Sequence, residues 1–165
     1  MIRASGDGWD SFAVVSGGSA GALVGLLFVA VSLRIDYISR SAELRYRAAQ
    51  TLGLFMTVLL IALLLVTPGQ PLRVLGLELL AVGVATGAFL YVLGRRADAE
   101  RSDQRLARIV EAISPNWLTS LCVAGSGIVL LCGVHAGLYV LLPPVFAALV
   151  VGVINAWLFL TKTPE

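Results

Sequence analysis

Long runs of apolar residues, broken by short polar or arginine-rich stretches, set the pattern of this chain. Five such runs approach the roughly 20 apolar residues needed to cross a bilayer as a helix, at residues 12–33, 48–67, 72–93, 117–134 and 138–160. Pro68-Gly69-Gln70-Pro71 separates the second from the third, a cluster that stops helices. A turn at His135-Ala136-Gly137 is expected between the fourth and fifth. If that stretch is helical instead, the break moves to Pro143-Pro144, and the last span becomes short or re-entrant. The expected fold is therefore all-α, a single polytopic bundle of five transmembrane helices. The first run is preceded by Asp7 and Asp10 with only Arg3, and it exceeds a signal-peptide core of about 7–15 residues. It reads as a retained span.

Charge orients the pattern. Arg34, Arg40, Arg45 and Arg47 fill the first inter-span loop, Arg95, Arg96, Arg101, Arg105 and Arg108 the third, and Lys162 the tail; only Arg3 and Arg73 fall on the other side. The positive-inside rule then predicts an outside N-terminus and a cytoplasmic C-terminus. Within the loops, Ser41 is placed to cap a helix leading into the second span, with Glu43 and Arg47 at i,i+4. Leu106, Ile109, Val110 and Ile113 recur at helical spacing. Trp9, Trp117 and Trp157 fall where an interfacial aromatic belt is expected.

Composition agrees with this class and narrows the chemistry. Of the 165 residues, 58% are hydrophobic and 13% charged, against about 45–50% and 25% in soluble domains. A soluble domain of this size has too little interior to hide so much apolar surface. Basic residues form no aromatic-interleaved patch, so nucleic acid is not an expected partner. The expected partners are the lipid bilayer and either further copies of this chain or another membrane protein. Cys122 and Cys132 stand about 15 Å apart along a helix, too far to bond each other, and read as small core residues. No phosphate loop, HExxH, Gly-x-Ser-x-Gly or intramembrane carboxylate pair occurs, so neither enzymatic activity nor a cofactor or metal is expected.

Helices in lipid associate by close packing, so small residues mark contact faces. Gly17, Gly21 and Gly25 recur every four residues in the first span, Gly83 and Gly87 mark the third, and Gly152 lies between Ala148 and Ala156 in the fifth. Residues 58–65 of the second span carry no glycine and only one alanine. These patterns predict spans 1, 3 and 5 at the centre and span 2 against lipid, with the glycine faces serving packing within the chain or between subunits. Glu78 lies about 9 Å into the third span, a depth at which a carboxylate is a functional candidate. Ser16, Ser19 and His135 share its half of the bilayer, so an outward-opening polar pocket of Glu78, Ser16, Ser19 and His135 is expected. Asn155 belongs to the opposite leaflet.

Trp9-Asp10-Ser11-Phe12, the small-residue run to Gly25 and the stretch 26–33 resemble the first helix of small bacterial multi-span membrane proteins of unknown function. The resemblance covers about the first 35 residues. It implies a bacterial inner-membrane location and carries no activity or site residue. Two functions are compatible with these features: a homo-oligomeric channel or passive conduit, and an accessory or assembly subunit of a larger membrane complex.

Overall fold

The computed structural model describes residues 7–33, 35, 42–99 and 115–161. Expectations for Arg3, Arg34, Arg40, Ser41, Arg101, Arg105, Arg108, Lys162 and the helix carrying Leu106 to Ile113 lie outside them. The described residues form five α-helices and one 3₁₀ segment: α1 (Asp7–Leu33), α2 (Ala42–Val66), α3 (Leu72–Ala99), α4 (Pro115–Leu131), the 3₁₀ segment His135–Leu141, and α5 (Leu142–Thr161). Four stretches are long and apolar enough to cross a membrane: Gly8–Leu33, Arg45–Val66, Leu72–Arg96 and His135–Trp157. The apolar part of α4, Trp117–Leu131, is shorter, but α4 runs antiparallel beside α3 along its length. Large apolar side chains face outward on every helix, among them Val15, Leu26, Leu63, Leu77, Leu121 and Val150. Water would penalise such a surface and lipid does not. The chain is a multi-pass membrane protein with an all-helical bundle fold.

The turns follow from single residues. At Gly69 (φ 71°) the backbone enters the left-handed region that glycine tolerates, after Pro68, whose φ is fixed by its ring. Gly133 (φ 82°) ends α4. Its N–H donates to Leu130 O at 2.9 Å, and Val134 N–H donates to Val129 O at 3.3 Å. That pair of bonds is a Schellman cap, so the chain reverses at 132–134, ahead of the expected 135–137. His135–Leu141 is already helical, in its tighter 3₁₀ form. Pro143 and Pro144 explain the form, because neither has an N–H to donate four residues back. The last available donor, Leu142 N–H, reaches only three residues back, to Tyr139 O. The prolines therefore tighten the helix without breaking it, and the last crossing is full length.

The order of helices differs from the expectation. The second helix, not the first, is central together with the fifth: α2 packs on α1, α3 and α5, and α5 on α1, α2 and α4 as expected, whereas α1 lies on α2 and α5, and α3 on α2 and α4. Leu54, Phe55, Val58, Ile61, Ala62 and Leu65 of α2 are all buried. The expectation that span 2 faces lipid and span 1 is central is overturned, for a simple packing reason. A glycine makes a hole, and a large side chain on the neighbouring helix fills it. At Gly152 an added Cβ would lie 2.2 Å from the Phe55 ring, and at Gly17 it would lie 2.8 Å from the Ala62 methyl. Toward α3 the roles reverse, since Gly53 of α2 receives the Phe89 ring, 2.8 Å from an added Cβ.

The closest approach of backbone to backbone joins α3 to α4. An added Cβ at Gly83 would lie 2.5 Å from Ala124 N, one at Gly76 2.9 Å from Gly127 O, and one at Gly127 2.6 Å from Leu80 N. Backbone meets backbone here, and Ser120 Oγ–H donates to Gly83 O at 2.8 Å. The C-terminal half of α4 is fastened to the 3₁₀ segment by Ser126 Oγ–H donating to Gly137 O at 2.8 Å. Trp9 meets Phe12 and Tyr139 edge-on at 5.7 and 5.2 Å, tying the start of α1 to the 3₁₀ segment.

Candidate functional site

The four residues expected to share a polar pocket are not brought together. Ser16 is buried against the core, and its hydroxyl donates to Ala13 O in its own helix at 3.2 Å. Ser19 is exposed and donates to Val15 O at 2.8 Å. Serine in a membrane helix commonly turns back on its own carbonyls, which leaves neither hydroxyl free to line a cavity. His135 is exposed at the first residue of the 3₁₀ segment. Glu78 is half-buried on α3, two helices away from α1 across α2. The expectation failed because it compared depth along each helix without azimuth and neighbour order, which depth does not contain.

Glu78 has a partner that the sequence did not suggest. Gln70, in the turn before α3, donates through Nε2 to a Glu78 carboxylate oxygen. Eight residues separate them, so the two side chains together bridge the turn and the first two turns of the helix. Arg73, five residues before Glu78, is exposed. The amide oxygen of the same side chain, Gln70 Oε1, is buried without a hydrogen-bond partner. The pair holds the α2–α3 turn onto the body of α3.

Polar groups that do connect helices were overlooked in the sequence. Thr57 and Thr86 meet hydroxyl to hydroxyl at 3.0 Å between α2 and α3, and both are buried. Thr57 also bonds Gly53 O at 2.8 Å. Asn155 Nδ2–H donates to Thr51 Oγ1 at 3.2 Å, joining α5 to α2, and Thr51 donates in turn to Arg47 O at 2.9 Å. Asn155 and Glu78 belong to separate networks. Threonine lacks a strong sequence signal in a membrane helix, because its hydroxyl is satisfied equally well by its own backbone. Only the neighbour's position selects between the two uses.

The predicted glycine positions divide into two groups. Gly83, Gly87 and Gly152 are buried at helix contacts, with Gly87 against Ser120 Oγ. Of the α1 glycines, only Gly17 meets another helix. An added Cβ at Gly18, Gly21 or Gly25 would meet no heavy atom within 4 Å. A spacing of four residues advances about 40° around the helix each time, so the stripe rotates out of the α2 contact after Gly17. The intrachain face of α1 is instead Ala13, Ser16, Ala20, Leu27 and Ala30, all buried. Gly18, Ser19, Gly21, Ala22 and Gly25 form an exposed strip of small residues.

No group of three or more His, Cys, Asp or Glu side chains among the described residues is placed to hold a metal ion. Cys122 is half-buried and Cys132 exposed, both as free thiols, so the reading of Cys132 as a core residue is corrected. The features that distinguish this molecule are thus an outward-facing strip on α1, a core of large buried side chains among the described residues, and a turn pinned by Gln70 and Glu78. No protein-family model, curated protein or solved structure matches the chain.

Proposed function

We propose that this chain is one subunit of a homo-oligomeric membrane assembly, joined through the small-residue strip of α1, and that any passive conduit runs between subunits. The supporting observation is the open strip at Gly18, Gly21, Ala22 and Gly25, beside an interior filled by Phe55, Leu54, Ile61, Leu79 and Val123. In lipid, small residues allow close helix approach, and that contact is the main source of association. A strip with no intrachain partner fits a second helix. Five crossings, with the arginine-rich loops in the cytoplasm and the N-terminus outside, are the topology proposed, in a bacterial inner membrane. Neither catalysis nor a cofactor enters this reading.

A second reading keeps the same face and changes the partner. Val14, Val15, Leu26 and Val29 around the strip are exposed and apolar, which suits helix docking better than contact with water. The face would then receive a different membrane polypeptide, and the chain would act as an accessory or assembly subunit.

Native mass spectrometry of protein released directly from its own membranes separates the two. A symmetric homo-oligomer that dissociates in Gly21→Leu supports the first reading. A one-to-one complex with another polypeptide, lost in the same variant, supports the second. Gly21 points into open space, so the substitution blocks the face without touching the fold. A lone monomer in native lipid overturns both. An oligomer indifferent to Gly21→Leu and Gly25→Leu removes α1 as its interface.

A further inference from the structure

At the end of the bundle opposite Trp9, a cleft of about 130 Å³ lies between α1 and α2. Leu27, Phe28 and Val31 line it from α1, and Ala48, Ala49 and Leu52 from α2. The two alanines create it, since longer side chains there would fill the gap between the helices. Every lining residue is apolar, and the cleft is partly open to its surroundings beside the exposed Phe28. Arg45 stands on the same face of α2, because positions 45, 48, 49 and 52 repeat at i, i+3, i+4 and i+7. It is exposed and has no hydrogen-bond or ion-pair partner among the described residues. Arg45 precedes Ala48 and Ala49 by about one turn, and side chains on a helix lean toward its N-terminus, which puts its charged end beyond the cleft, on the side of the helix end.

We propose that this cleft and Arg45 form a binding site for an anionic phospholipid. An acyl chain lies between α1 and α2 on Leu27, Val31 and Ala49, and the headgroup phosphate is held by the Arg45 guanidinium. Charge complementarity selects the occupant. A zwitterionic lipid fills the cleft equally well but brings its own cation to the arginine, whereas an anionic lipid leaves the phosphate to be neutralised. Guanidinium suits phosphate because its planar fork donates two parallel hydrogen bonds. The site is independent of the α1 strip and needs no particular oligomer.

The test is lipid retention by native mass spectrometry, with the full chain reconstituted in nanodiscs of phosphatidylglycerol and phosphatidylcholine at equal mole fraction. The wild-type protein is expected to retain phosphatidylglycerol preferentially. Arg45→Gln should lower that preference about fivefold, the value of one basic residue at an anionic surface, while chain occupancy persists. Ala49→Leu should fill the cleft and release both lipids. Arg96→Gln, an exposed arginine on α3 away from the cleft, should change little. Equal retention of the two lipids by the wild-type protein overturns the proposal. So does an equal loss of preference in Arg96→Gln, which would mean a general basic collar in place of a site. Thermal melting in phosphatidylcholine alone verifies that Ala49→Leu is folded. Should it not fold, the Arg45→Gln and Arg96→Gln pair decides.

Discussion

Replacing Gly83 by alanine tests the backbone-to-backbone packing of α3 on α4 with a single methyl group. That methyl would lie 2.5 Å from Ala124 N, 2.8 Å from Ala124 Cα and 2.9 Å from Ala124 Cβ. No side-chain rotation relieves it, because the first two atoms are main chain. The helices must separate by close to 1 Å, and the same movement loosens the Gly76–Gly127 contact one to two turns away. Overpacking of this kind costs about 1–3 kcal/mol. Separation also strains the Ser120 hydrogen bond to Gly83 O, and interhelical bonds in membrane proteins average about 0.6 kcal/mol. Against these stands the better helix propensity of alanine, up to about 1 kcal/mol. The net expectation is a loss of about 0.6–2.6 kcal/mol, with Gly83→Val losing more. Equilibrium unfolding in mixed micelles measures it, with tryptophan fluorescence as the signal. Trp117, edge-on to Tyr91 at 6.2 Å, reports the α3–α4 contact. Gly21→Ala is the internal control, since its methyl enters open space and should leave stability unchanged or slightly raised. If Gly83→Ala is as stable as the wild-type protein, or Gly21→Ala is equally damaging, the packing argument is wrong.

Three further substitutions probe other links. Gly152→Ala forces a methyl into the buried Phe55 ring and should cost about 1–3 kcal/mol; Phe55→Leu should recover part of that loss in the double variant, a coupling read by a double-mutant cycle. Thr57→Val deletes the buried hydroxyl pair with Thr86 and should cost about 0.6 kcal/mol, at most about 1.7, in the same unfolding assay, with Thr86→Val adding little once Thr57 is gone. Gly133→Ala places a side chain at φ 82° and should destabilise the α4 hairpin by about 1–2 kcal/mol, visible as faster amide exchange at Val134 and in the 3₁₀ segment.

The sequence by itself determined the solvent. Apolar runs of span length and the sparse charge between them specify a helical membrane bundle, because unpaired backbone groups are excluded from hydrocarbon. It also located the Pro68-Gly69 turn and the tight contacts at Gly83, Gly87 and Gly152, since a glycine within a membrane helix usually has a close neighbour. Tertiary structure decided what each helix faces. Gly21 and Gly25 carry the same local signal as Gly83 and Gly87, yet one pair looks outward and the other meets Ala124 and Ser120. The leucine-rich α2 reads as a lipid-facing helix and is the centre, because Phe55 and Ala62 fill spaces offered by Gly152 and Gly17. Likewise Glu78 found Gln70 in the adjoining turn, while Ser16 and Ser19 turned back to their own helix. Depth in the bilayer is written along the chain, one residue after another. Azimuth and neighbour identity arise only when all helices pack at once, and those two quantities place the side chains of a site.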